Sequence, residues 1–355
     1  MSKPIRHIAV MRLSSMGDVA MIVPVLRLFV YQNPTIKLTV ISRPFFKPFF
    51  DGIENVTFFN FDEKNRHKGF LGLFKLYLDL KNFNIDAFAD LHNVLRSKIV
   101  RNLFALNGKT VAFTDKGRAE KKALTRSENK IFKQLPTVFE RHINVFKKLG
   151  FQVDYKTETA KNLFPQKAVL SQNILDLIEE KNADFQNKLI GIAPFAQYQE
   201  KIYPLDLMQK VIEELAKNKN YKILLFGGGN KEIEVLNSFA ESKDNVIAVA
   251  GTIKFQEELQ LISNLDIMLS MDSGNAHIAA MSGVKVITLW GATHPFLGFL
   301  PFNQPFENAL VSDRNLYPKL PTSVYGNKIV DGYADVMRTI SVDKIVSKIK
   351  SQLSN

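Results

Sequence analysis

The chain has 355 residues, 46% of them hydrophobic and 23% charged, with a formal net charge of +12. That length exceeds one ordinary core and suits two domains, and the composition excludes a disordered chain. No apolar run reaches the roughly 20 residues that span a bilayer, the N-terminus lacks a signal-peptide core, and the absence of cysteine excludes disulfides and thiolate metal sites; a cytoplasmic protein is expected.

HIAVMRL at 7–13 reads as a strand, and MRLSSMGDVAMIVPVLRLF carries it into a helix over 18–31. KLTVISR, VTFFNF, IDAFADLH and KTVAF read as further strands, with helices over about 69–81 and 94–105 between them. These strands are short and apolar on both faces, as buried parallel strands are. VFERHINVFKKLG reads as a helix stopped at Gly150. Residues 151–187 read as a linker plus one helix. The alternation then restarts: KLIGIAPF, YKILLFGG, NVIAVAG, LDIMLSM and VKVITLWG are strands, and LDLMQKVIEELAKN and KEIEVLNSFAES are helices. Strand and helix in alternation predict an α/β chain of two Rossmann-like, doubly wound domains facing a cleft, with ligands beyond the carboxyl ends of the strands. The expected domains are 1–165 and 166–338. The last helix, within 339–355, has no obvious place in the second sheet and is expected to pack back on the first domain.

The charge is concentrated. Residues 96–133 include Arg96, Lys98, Arg101, Lys116, Arg118, Lys121 and Lys130. Such a surplus favours an anionic partner: nucleic acid, a membrane surface or a phosphorylated substrate. No nucleic-acid motif accompanies it. The 28 phenylalanines are scattered through apolar runs and read as core.

Four strand ends could carry chemistry. Ser14, Ser15 and Gly17 form a polar loop, after which Asp18 begins a helix. Asp18 is a helix cap or a carboxylate aimed into the cleft; position alone does not decide. In LSMDSGNAHIAAMSG, a strand ends at Met271, and Asp272, Ser273 and Gly274 turn into a helix carrying His277. That helix start suits a phosphate or diphosphate, or is simply capped with His277 as packing. WGATHP, with Thr293, is a second glycine turn at the same sheet edge. In APFAQYQEKIYP, Lys201 sits at the cleft edge, where a cation could neutralise a leaving phosphate, or is surface decoration. LLFGGGNKEIE breaks the dinucleotide pattern G-x-G-x-x-G at Glu232 and suits a nucleotide-facing loop instead. No P-loop, no G-x-S-x-G elbow and no D-x-D metal pair is present.

Together RLSSMGDV, DLHNVLRS, EKIYP, GGGNKE and MDSGNAHIAA through WGATHP resemble the ADP-heptose:lipopolysaccharide heptosyltransferase family, glycosyltransferase family 9, of the GT-B fold. The resemblance implies an inverting, metal-independent sugar transfer from a nucleotide donor, with no other cofactor. It implies Asp18 as general base and Lys201 on the donor phosphates, with Tyr203 where tryptophan is common. Asp272, Ser273, Gly274, His277 and Thr293 would surround the donor, and Glu232 would lie near the ribose. Ser15, Gly17, Arg96 and Arg118 would meet the acceptor, an anionic lipopolysaccharide core. Peripheral contact with the inner membrane through the basic stretch is also expected, and nucleic acid is not. A different nucleotide-sugar donor, or a sugar-nucleotide epimerase of the same fold, stays open.

Overall fold

A computed structural model describes residues 4–154, 163–178 and 187–354. Much of the expected linker lies outside these residues, but its helix is present as a short element. The chain divides into two compact units. The first is Met1–Gly117 with Pro136–Phe164; the second is Arg118–Leu135 with Pro165–Asn355.

The first half supplies β1 (His7–Met11), α1 (Met16–Gln32), β2 (Lys37–Ser42), β3 (Val56–Asn60), α2 (Gly69–Lys81), β4 (Ala87–Asp90), α3 (Leu95–Leu106), β5 (Thr110–Phe113), α4 (Arg118–Thr125) and α5 (Val138–Lys148). All but α4 belong to the first unit. Its sheet is parallel throughout, in the order β3-β2-β1-β4-β5. Ile8, Ala9, Val10 and Met11 are all fully buried, because the crossovers β1 to β2 and β3 to β4 run in opposite directions along the sheet and so cover both its faces. Ala9 and Met11 pack with Leu73, Leu76 and Leu80 of α2 and Phe104 of α3. Helix α1 is buried continuously from Val19 to Leu26, which explains its nearly uniform apolar sequence. It is covered by α5, where Phe29 stacks on Phe146 at 4.3 Å.

The second half supplies α6 (Gln172–Leu177), β6 (Lys188–Ala193), α7 (Leu205–Ala216), β7 (Tyr221–Leu225), α8 (Asn230–Ala240), β8 (Val246–Ala248), α9 (Phe255–Asn264), β9 (Ile267–Met271), α10 (Gly274–Met281), β10 (Lys285–Trp290), β11 (Ala309–Val311) and α11 (Val342–Leu353). Its parallel sheet runs β11-β10-β9-β6-β7-β8. The expectation of two doubly wound parallel sheets holds.

Two expectations about organisation give way. Helix α11 joins the second unit: Ile345, Val346 and Ile349 enter the core built from Met208, Val211, Ile212 and Leu269. Its apolar stripe meets α7 and β9, and the buried Tyr203 hydroxyl donates to the Ile340 carbonyl at 2.7 Å just before it. Burial pushes that hydroxyl up to about 12, so it stays a donor. Tyr203 thus serves as a buried tether. The segment 118–135 also joins the second unit, although it lies within the first half of the sequence. Leu124 and Leu135 pack with Leu297, and the Leu135 amide donates to the Phe296 carbonyl. Lys130 Nζ donates to the carbonyls of Leu124 and Pro321.

Candidate active site

In each sheet the strand order reverses beside the first strand of the unit, at β1/β4 and at β6/β9. Such switch points leave a crevice beyond the carboxyl ends. The polar residues singled out in the sequence gather at both.

At the first, β1 runs out into Arg12. Ser15, not Asp18, is the N-cap of α1; Gly17 and Asp18 lie in the first turn. Asp18 closes a capping box: its Oδ2 accepts from the Ser15 amide at 3.2 Å and the Ser15 hydroxyl at 2.9 Å. Arg12 Nη2 reaches the same oxygen at 2.5 Å. The guanidinium also donates to the carbonyls of Ser14 and Leu91, both at 2.8 Å. Arg12 was not singled out, and it is the residue that binds β1, β4 and Asp18 together. The Asp18 side chain is 31% exposed while that of Arg12 is 9% exposed, so the carboxylate keeps a solvent face.

His92 follows on β4. Its Nδ1 accepts weakly from the Leu13 amide at 3.4 Å. Burial, then the charges of Arg12 and Lys116, push His92 down to about 3, so it is neutral near pH 7. Fully buried Asp90 accepts from the His92 and Asn93 amides and pairs with Arg101 at 3.1 Å, which shapes this loop. Arg96 lies in the first turn of α3 and pairs with Glu63 at 3.0 Å; Arg43, just beyond β2, donates to the same carboxylate at 2.9 Å. Arg118, expected at the acceptor, opens α4 and is exposed; it belongs to the second unit. The contacts of Leu124 and Leu135 carry it there.

At the second switch point, Lys201 follows β6, Asp272 follows β9 and Thr293 follows β10. Lys201 Nζ lies 3.0 Å from Asp272 Oδ2, and Thr293 Oγ1 donates to that oxygen at 2.8 Å. The Lys201 and Asp272 side chains are 14% and 8% exposed. The Lys201 stem rests on Gly326, whose φ is +80°; a Cβ there would fall 2.3 Å from Lys201 Cδ. Fully buried Ser323 holds that turn, its Oγ accepting from the amides of Gly326 and Asn327. Neither residue was anticipated, although a serine three before a glycine is a turn signal.

Ser273 is the N-cap of α10 in extended backbone, with Gly274 the first helical residue and His277 buried one turn on. The Ser273 hydroxyl meets Ser270 at 3.1 Å. Glu232, in the first turn of α8, accepts from the Gly228 amide at 2.8 Å and so braces the glycine run. A separate cavity of about 450 Å³, walled by Glu200, Ile202, Leu205, Ala292, Thr322 and Tyr333, does not include Lys201, Asp272 or Thr293.

A sequence model of glycosyltransferase family 9 (heptosyltransferase) matches residues 73–325. The chain belongs to that family. This glycosyltransferase is 25% identical to the "Lipopolysaccharide core heptosyltransferase OpsX" of Haemophilus influenzae over 97% of its own length and 96% of the relative's. It superposes on the family 9 glycosyltransferase of Veillonella parvula with a TM-score of 0.74 and 18% identity, covering 100% and 99% of the two chains. Against "E. coli heptosyltransferase WaaC with ADP-2-deoxy-2-fluoro heptose" the TM-score is 0.66 at 16% identity, covering 97% and 99%. The solved structures share its fold, the two-unit GT-B arrangement of parallel sheets.

Proposed function

We propose that this glycosyltransferase moves a heptose from ADP-heptose to a lipopolysaccharide inner-core acceptor, with inversion and without a metal or other cofactor. One observation carries the reading: each switch point holds a carboxylate fixed by a cation, Asp18 by Arg12 and Asp272 by Lys201. The names of the relatives supply the sugar and the acceptor class. The first unit takes the acceptor. Arg43, Arg96 and Lys116 make its sheet edge basic, suited to phosphates and carboxylates of a core oligosaccharide. The second unit takes the donor.

An acceptor hydroxyl oxygen attacks the anomeric carbon from the face opposite the nucleotide. The carbon–oxygen bond to the diphosphate breaks, and ADP leaves with the bonding pair. The hydroxyl proton passes to Asp18, whose orientation Arg12 and Ser15 fix. Proton transfer late in the reaction suits a base of modest strength. Positive charge developing on the sugar ring also favours a nearby carboxylate. Lys201 and the first amides of α10, at Ser273 and Gly274, take up the charge of the departing diphosphate. Asp272 and Thr293 hold the Lys201 ammonium in place, His277 supports the turn, and Glu232 braces the loop that meets the ribose. Ser15 and Gly17 border the acceptor.

Among the described residues no helix is long and apolar enough to cross a membrane. The reading places the enzyme in the cytoplasm, in peripheral contact with its membrane-bound acceptor. A different nucleotide sugar as donor is the second reading.

The test is ADP release from ADP-heptose with a heptose-free lipid-A-type core acceptor. Wild type releases ADP only when acceptor is present. Asp18→Asn loses roughly 10²–10⁴-fold in kcat while calorimetric donor binding is retained. Acceptor-dependent release by the variant at wild-type rate would reduce Asp18 to a capping residue. No release by either protein would move the question to a panel of nucleotide sugars.

A further inference from the structure

Helix α2 is apolar on two sides. Leu73, Leu76, Tyr77 and Leu80 pack inward with Phe88 and Phe104. The outward side carries Phe70 and Leu71, 71% and 75% exposed, then Phe74 and Leu78, 45% and 44% exposed. The spacing i, i+1, i+4, i+8 makes these one continuous stripe. Surface helices of soluble proteins put polar residues there. Lys75 lies within the stripe and Lys81 ends it, and exposed Lys64 and Lys68 precede it. The helix has one acidic residue, Asp79, and its carboxylate is engaged by Arg66 at 2.7 Å and His67 at 3.0 Å. The outward face is therefore apolar and positive.

We propose that α2 is a membrane-docking helix that lies in the headgroup region of an anionic bilayer. Phe70, Leu71, Phe74 and Leu78 enter the acyl boundary, and Lys64, Lys68, Lys75 and Lys81 extend to lipid phosphates. Charge selects this occupant. A second copy of the chain would set the same lysines against one another, whereas an anionic lipid surface offers a counter-charge to each. The site is α2 itself, not the 96–133 stretch, and it stands whether or not the sugar-transfer reading does.

Flotation with vesicles of phosphatidylethanolamine and phosphatidylglycerol, against vesicles of phosphatidylcholine, tests it. Wild type co-floats with the anionic vesicles. Phe70→Ser/Leu71→Ser/Phe74→Ser lowers the partition coefficient at least tenfold, with melting temperature retained because the three side chains are exposed. Lys75→Glu/Lys81→Glu lowers it as well and removes the preference for anionic lipid. Phe70→Trp gives an independent reading, since the one native tryptophan, Trp290, is 1% exposed. Its emission shifts to the blue with anionic vesicles. The proposal is overturned if wild type stays with the protein fraction, if the triple variant floats as wild type does, if Phe70→Trp emission does not move, or if the stripe instead mediates a dimer that ignores vesicles.

Discussion

Arg12 makes three different contacts with one guanidinium, to Asp18, Ser14 and Leu91. A lysine offers a point charge on a flexible stem and cannot reproduce that fork. Arg12→Lys is expected to lower kcat about 10–100-fold while leaving donor KM unchanged, because Asp18 loses its fixed orientation and the second unit is untouched. Steady-state kinetics with donor and acceptor varied separately checks the split. Gly326→Ala gives the opposite pattern. Its positive φ is unfavourable for alanine and the new methyl meets the Lys201 stem, so donor KM rises about tenfold or more with acceptor KM unchanged. Glu258 on α9 is pushed up to about 7 by burial. Its folded value lies above the unfolded one, so ionising it costs stability as pH rises through that range. Glu258→Gln raises the melting temperature at pH 8 and leaves it nearly unchanged at pH 5. Asp18 and Asp272 were visible in the sequence because each follows a strand in a polar, glycine-bearing turn, and Lys201 because it follows a strand in a polar loop just before Pro204. Arg12 was not, because it sits inside an apolar strand run and one of its partners, Leu91, is 79 positions away.

Elements were read well where periodicity was strong, and α2 over 69–81 matches the structure residue for residue. What periodicity cannot show is which neighbour an apolar stripe will meet. The stripe of α11 declares a buried face but not its address, and the address is α7 and β9. Strand adjacency was equally hidden. Lys201 and Asp272 meet because β6 lies beside β9 in the sheet, with β7 and β8 on the other side. Shortening the Ile349 side chain tests the place of α11. Ile349 is fully buried, so Ile349→Ala destabilises the second unit by about 2–4 kcal/mol. Denaturant unfolding followed by Trp290 fluorescence reads this directly, since Trp290 lies in β10.

At the scale of the molecule, each unit holds a histidine that burial pushes far below its ordinary value. His92 is at about 3 in the first unit; His294, depressed by burial and by Arg314, is at about 4 in the second. An unfolded histidine titrates near 6.5. Below that pH the unfolded chain takes up protons that the folded chain refuses. Stability therefore falls as pH drops from about 6.5 toward these values, by up to about 1.4 kcal/mol per pH unit for each histidine. Thermal melts between pH 7.5 and 5 are expected to shift downward for both units. His92→Asn, which keeps an acceptor near the Leu13 amide, flattens the slope of the first unit only.

The assignment of 118–135 to the second unit also bears on how the protein is made. On the ribosome these residues emerge with the first unit. Leu297, which completes the cluster of Leu124 and Leu135, is synthesised about 160 residues later. At bacterial elongation rates of ~5–20 residues per second that is a wait of roughly 10–30 s. During it, a basic segment, α4 and the stretch after it, carries Leu124 and Leu135 beside the first unit as a natural station for a chaperone. A fragment ending at residue 164 would leave that cluster without Leu297 permanently. The cut that yields a clean first unit must therefore replace 118–135 with a short linker rather than simply stop at the boundary.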